Sequence, residues 1–227
     1  IYMGDWSSDV CSSDLAEGRR WGFALAGLAC APARPERCLV WLTDGWRTDG
    51  VIREFDIGTR SFVADGFNVP EAISRAFWWD KDTLLLCTNA LEKEQAKGEA
   101  VQPTAAKYPL DVRIWKRGQP LREARIILQG GPHATAAWPE QYVDVGGKSL
   151  NIVSSFDRQG RRSSWLLDEQ GGMQPMALPP KFRGLGLYRG HWIMILNEQW
   201  TFSGHTFPEG ALISVSLDLY GDRKSVV

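Results

Sequence analysis

One pattern occurs three times in this chain, and the repetition limits the fold more than any other feature. Val51-Ile52-Arg53-Glu54-Phe55-Asp56-Ile57-Gly58-Thr59-Arg60-Ser61-Phe62-Val63 reads as two β-prone runs around a central turn, and Asp111 to Leu121 and Ser164 to Gly172 read the same way. A second unit follows each hairpin: Trp79 to Leu86, Gly146 to Val153 and Tyr188 to Ile195, each a turn leading into an apolar run. The hairpins begin at Val51, Asp111 and Ser164, a period of about 50 to 60 residues, long for a WD40 blade and near a kelch-like one. Units of this period expose an apolar face that only a neighbouring unit can cover, so they stack or they do not fold.

The rest of the chain agrees with an all-β reading. Apolar or alternating runs at 38–42, 51–57, 77–79, 83–88, 112–116, 125–128, 150–156, 164–168, 192–196 and 211–217 are separated by Gly, Asp, Asn and Pro turns. The one stretch of helix-forming composition, Ala90 to Lys97, is polar nearly all round and is expected to be a solvated loop or frayed turn. Four-stranded units at this spacing predict a partial β-propeller of roughly three to four blades, incomplete and not closed. A flat sandwich is the competing architecture, but it leaves the recurrence of hairpin, aromatic, turn and apolar run unexplained.

The ends follow different rules. Asp5 to Leu15 can be encoded by a string resembling a short-read sequencing adapter in frame, and Asp222 to Val227 by one resembling the opposite adapter. Residues 1–15 and 221–227 are therefore expected to be adapter-derived and disordered, with the natural segment running over 16–220. Setting aside Asp5, Asp9, Asp14, Asp222, Arg223 and Lys224 turns the formal charge of −1 into +1. Such a balance offers no basic field for a nucleic-acid partner. Apolar runs stay well below the roughly 20 residues of a membrane helix, so no membrane partner is expected either. Cys30, Cys38 and Cys87 remain once Cys11 is set aside, an odd number without paired short spacing. This predicts small buried hydrophobes rather than a disulfide framework or a zinc site, and a cytoplasmic location, with the periplasm as the alternative.

The search for reactive groups yields no catalytic, cofactor-binding or metal-binding residues. No Gly-x-Ser-x-Gly elbow is present. His133, His191 and His205 lack the i, i+4 spacing of a helical zinc site and are expected on the surface or in turns. Asp80 and Asp82 flank Lys81 without the further carboxylates of a calcium loop, so a tight turn explains them better. Gly130-Gly131-Pro132 and Gly171-Gly172 are turn chemistry, since neither lies between a strand and a helix. Trp78, Trp79, Trp115, Trp138, Trp165, Trp192 and Trp200 fall in or beside strands and are expected between blades, with ligand stacking as the second reading.

Several strings nevertheless resemble one family in order along the chain. Arg37 to Gly45, Val51 to Asp56, Arg60 to Val63, Gly66 to Ala72 and Asp82 to Leu85 are similar to the N-terminal propeller of bacterial prolyl oligopeptidases. Tyr108-Pro109, Trp115 to Leu121 and Trp200 to Leu212 continue the resemblance. Lys107 stands where the family usually has Gly, a polar stretch replaces its Gly-rich segment, and 130–180 matches loosely. The resemblance implies a serine endopeptidase that cuts short peptides after proline, with its Ser, Asp and His on an α/β-hydrolase domain in intramolecular contact with the propeller. No catalytic residue of this chain matches that triad, so the implied role is gating of substrate access and the segment alone is expected to be inactive. Two alternatives stay open: a stand-alone propeller that binds protein or glycan, and another member of the wider peptidase group such as an acylaminoacyl peptidase.

Overall fold

A computed structural model describes residues 23–44, 47–91 and 108–217. The terminal strings assigned to adapter sequence and most of the polar stretch at 90–107 lie outside the described residues; Ala90 and Leu91, at its start, have helical geometry. The chain divides into two units, Ile1–Gln129 and Gly130–Val227.

In the first unit, β1 (Phe23–Ala31), β2 (Arg34–Asp44), β3 (Gly50–Asp56) and β4 (Ser61–Phe62) pair in that order, and β5 (Asn68–Ala72) also pairs with β3. A second sheet follows from β6 (Ser74–Asp80), β7 (Thr83–Thr88), β8 (Asp111–Lys116) and β9 (Arg125–Gln129), again in sequence order and antiparallel. Between the sheets lies a core of Leu39, Ile52, Phe67 and Val69 from one and Trp78, Leu84, Leu86 and Trp115 from the other. β7 explains why its sequence is a continuous apolar run: Leu84, Leu85, Leu86 and Cys87 are all fully buried, so both faces are covered.

The second unit repeats the plan. β10 (Ala134–Val143), β11 (Ser149–Asp157), β12 (Arg162–Leu167) and β13 (Met173–Met176) form one antiparallel sheet. β14 (Phe182–Tyr188), β15 (His191–Leu196) and β18 (Leu212–Ser216) form another, with a small hairpin of β16 (Trp200–Phe202) and β17 (His205–Phe207) inserted before its last strand. Leu150, Ile152 and Met176 meet Phe182, Trp192, Met194 and Leu196 in the core. The described residues are thus all-β, built of blade-like antiparallel sheets with none closed, the architecture of a partial propeller.

The sequence repeat falls across the sheet boundaries. Its hairpin is the third and fourth strands of one sheet (β3–β4, β8–β9, β12–β13), and its second unit is the first turn and second strand of the next (β6–β7, β10–β11, β14–β15). Turn chemistry holds the hairpins: the Asp56 carboxylate accepts from the Thr59 amide, and that of Asp168 from the amides of Gln170 and Gly172. Gly118 and Gly171 take positive φ in their turns, and Arg60 takes φ 57° in the corresponding place.

One sequence expectation is corrected. Cys30 and Cys38 are directly opposite in the β1–β2 register and form a disulfide, leaving Cys87 as the free, buried thiol among the described residues. Their separation of eight residues hides the pairing, because only the hairpin register brings the two side chains together.

Candidate functional site

Two polar clusters stand out, one in each unit. In the first, Glu54 on β3 is 1% exposed and fully engaged. Arg117, in the turn after β8, grips both of its oxygens at 2.7 and 3.1 Å, and the Phe67 amide donates at 3.0 Å. Arg117 also donates to Asp82 at 3.0 Å and lies over the Phe67 ring, 4.7 Å from its centroid. A carboxylate buried this deeply is tolerable only when paired and hydrogen-bonded. Its hydrogen bonds run between separate parts of the fold, so this cluster fastens two sheets.

The second cluster surrounds an open cleft of about 420 Å³ in Gly130–Val227. Its walls are the loop Gly131–Ala134, the end of β11 from Ser155 to Asp157, the start of β12 from Arg161 to Ser163, and Pro180. Antiparallel pairing builds it: Ser155 is opposite Ser163, and Asp157 caps the β11–β12 turn by accepting from the amides of Gln159 and Arg161. Alternation along the strands sends the adjacent pair, Ser154 and Ser164, to the buried face, where their hydroxyls meet at 2.9 Å. The Arg162 side chain, 5% exposed, is held there by Glu140, by Ser154 at 2.7 Å and by Ser164 at 3.2 Å. Its guanidinium stacks on Phe182, 4.1 Å from the ring centroid.

The aspartate and histidine expectations are met, and the tryptophan expectation is met in part. Asp80 and Asp82 form a turn in which the Asp82 amide donates to Asp80 at 2.8 Å, and Asp82 also receives Arg117. Trp78, Trp115 and Trp192 are core, whereas Trp79, Trp138, Trp165 and Trp200 are half-buried. His133, His191 and His205 are exposed. His191 Nδ1 lies 3.3 Å from the Ser214 hydroxyl, a pairing the sequence does not announce because the two residues sit on different strands. That pair is exposed, and no carboxylate among the described residues orients the ring, so it lacks the third member that fixes the imidazole of a catalytic triad. Burial pushes the Cys87 thiol up to about 12, which removes it as a nucleophile at neutral pH. What sequence reasoning missed is the cleft itself, whose Ser155, Ser163, Arg161 and His133 become neighbours only through strand register.

No family model matches the chain. It is 30% identical over 214 residues to an uncharacterized peptidase, y4nA, of Sinorhizobium fredii, covering 92% of this chain and 28% of that protein. A second uncharacterized peptidase, RP174 of Rickettsia prowazekii, is 22% identical over 212 residues, covering 85% of this chain and 27% of the relative. The chain therefore spans under a third of the length of the relatives it matches. Among solved structures, a post-proline cleaving enzyme from Rickettsia typhi superposes with a TM-score of 0.72 at 19% identity, over 87% of this chain and 29% of that one. Oligopeptidase B from Leishmania major gives a TM-score of 0.54 at 14% identity, over 86% of this chain and 26% of its own.

Proposed function

We propose, from the premise that this chain is a β-propeller segment homologous to prolyl oligopeptidase-type peptidases, that it is the non-catalytic, substrate-gating part of a serine endopeptidase that cleaves short peptides after proline. The observation that carries the reading is the agreement between strand order and homology. Sheets of consecutive antiparallel strands match a solved post-proline cleaving enzyme, and the sequence matches proteins named as peptidases over nearly its whole length. In this role the segment would lie against an α/β-hydrolase domain in the same polypeptide and exclude large substrates by shape, while the triad acts elsewhere. Natural sequence at 16–220 is the part that serves this role.

Size selection tests it. In the longer protein containing this segment, a proline-containing octapeptide is expected to be cleaved and an unfolded protein of a hundred residues or so to be spared; equal cleavage of both would reject the gating role. For location, the Cys30–Cys38 bond favours the periplasm over the cytoplasm, since thiols are kept reduced in the latter. Alkylation of Cys30 and Cys38 themselves, located by peptide mapping of unreduced protein taken directly from cells, would reject that placement.

A further inference from the structure

The two sheets of Gly130–Val227 have unlike ends. At one end the chain only turns back, at 144–148, 168–172 and 189–190, through aspartate caps and glycines of positive φ. At the other lie the loop into β10, the β11–β12 turn, the crossing from β13 to β14 at 177–181, and the connection 197–211 that carries β16 and β17. Hydrogen bonds tie that second end together across the sheets: the Arg162 amide donates to the Pro180 carbonyl at 2.8 Å, and the Asn197 amide to that of Lys181 at 3.0 Å. Four consecutive antiparallel strands return the chain to the end at which it entered, so crossings between sheets collect there. Ile1–Gln129, taken by itself, obeys the same rule, since Ile73 crosses from β5 to β6 while bonded to Asn89 at the end of β7.

The longest connection at the crossing end of Gly130–Val227 is also aromatic. Among the described residues β16 and β17 pair only with each other, around a turn in which Ser203 and Gly204 take φ 48° and 79°. Strand alternation puts Trp200, Phe202, His205 and Phe207 on one face, and Thr201 and Thr206 on the other, where their hydroxyls meet at 2.9 Å. Trp200 and Phe207 pack against the core of the unit, and Phe202 and Phe207 stack on Trp200 with centroids at 5.0 and 6.0 Å. Phe202, beside the turn, is 44% exposed. A ring already held by a stacked neighbour loses little freedom when a partner covers it, and such rings carry much of the energy of interfaces.

We propose that the β16–β17 hairpin is a docking element, and that its partner is the α/β-hydrolase domain of the same polypeptide; the identity of that partner rests on the peptidase-related reading above. The relatives extend far beyond the matched segment, which covers 28% and 27% of their lengths, so a covalently attached partner is at hand. A domain joined to sheets of this kind is tethered at the end where the chain crosses between them, and tethering raises its effective concentration there. The Lys181–Glu198 ion pair, at 3.7 Å, links the crossing to the base of the hairpin, so the tether and Phe202 share one end of the unit. The opposite end exposes Val145 and Tyr188, yet among the described residues no crossing occurs there.

Photo-crosslinking in the longer protein containing this segment tests the proposal, with p-benzoylphenylalanine placed at Phe202 or, as the opposite-end control, at Val145. Both side chains are exposed, so neither replacement disturbs the core. Position 202 is expected to cross-link to the domain that carries the fluorophosphonate-reactive serine, in a yield about tenfold or more above that from position 145, because the ketone reacts only with groups in van der Waals contact. Equal yields from the two positions, a higher yield from 145, or cross-links from 202 that reach only other propeller sheets or a second copy overturn it. Size selection is measured separately on the unsubstituted protein: equal cleavage of octapeptide and unfolded protein rejects gating and leaves the docking result standing. Absence of any fluorophosphonate-reactive serine in the longer protein overturns the partner assignment together with the peptidase reading.

Discussion

In Ile1–Gln129 the two sheets are joined by a buried ion pair between side chains far apart in sequence, whereas in Gly130–Val227 they are joined by packed rings and a carboxylate tether. Glu54 and Arg117 hold the first join, beside a cluster in which Phe67 meets Trp78 and Trp115 edge-on at 5.8 and 5.0 Å. The second join is Trp192 against Tyr142 at 5.4 Å, backed within its own sheet by Phe182 at 5.2 Å, with Asp144 accepting from the Gly190 amide at 3.0 Å. The difference teaches what each unit is sensitive to. A buried ion pair fixes one geometry and becomes a liability when half of it is removed, while packed rings tolerate polar loss but not added volume.

The contrast gives an ordered set of expectations, best read by hydrogen exchange so that each unit reports its own stability. The largest effect is expected from Arg117→Ala, which leaves Glu54 in the core with only the Phe67 amide, at 3.0 Å, and Arg37, at 3.5 Å, as partial relief. It should cost the first unit about 3 kcal/mol, and Glu54→Leu combined with Arg117→Met should recover most of that loss. Protection factors unchanged in β3 and β8 would show that the ion pair does not fasten the sheets.

Gly184→Ala comes next, in the second unit. A Cβ there would sit against the Tyr142 hydroxyl, 2.7 Å from Cζ of that ring and 3.1 Å from the Trp192 indole. We expect a loss of about 2 kcal/mol confined to β10, β14 and β15, read as faster exchange in those strands. A neutral result would mean that the rings yield more readily than close packing allows.

A smaller effect separates the two central tryptophans. Trp78 donates to the Ala29 carbonyl at 2.9 Å, whereas the Trp192 indole nitrogen is buried without an acceptor. Trp78→Phe is therefore expected to cost about 1 kcal/mol more than Trp192→Phe, because only the first leaves a carbonyl unsatisfied. Equal losses on denaturant titration would remove this distinction. Arg60→Gly should have the smallest effect, a gain of about 0.5 kcal/mol, since φ 57° suits Gly and the corresponding turns already use it. A measurable loss would show that the Arg60 side chain contributes something the turn geometry does not require.

Much of the fold was legible in the sequence because turns and apolar runs are local signals. The run at 83–88 is β7, and the three hairpins are the outer strands of three sheets. Strands that escaped notice share a physical reason. β5, β10 and β13 contain Pro70, Pro139 and Pro175, which argue against a strand, yet each of the three pairs with one neighbour only and so has a free edge where the missing N–H costs nothing. β14 was hidden by Gly184 and Gly186, small residues that admit the Tyr142 ring or face open space. The Cys30–Cys38 bond and the cleft were beyond sequence reasoning for another reason: both are made by register, and register is not written in any single run.

Serine-directed labelling of the purified chain, run beside a proline p-nitroanilide assay, tests the central claim most directly. The account predicts no covalent label from a fluorophosphonate and no release of p-nitroaniline, because Ser214 and His191 form an exposed pair without an orienting carboxylate and no other serine meets a base among the described residues. Stoichiometric labelling of one serine together with turnover would contradict it, and would make this segment an enzyme in its own right.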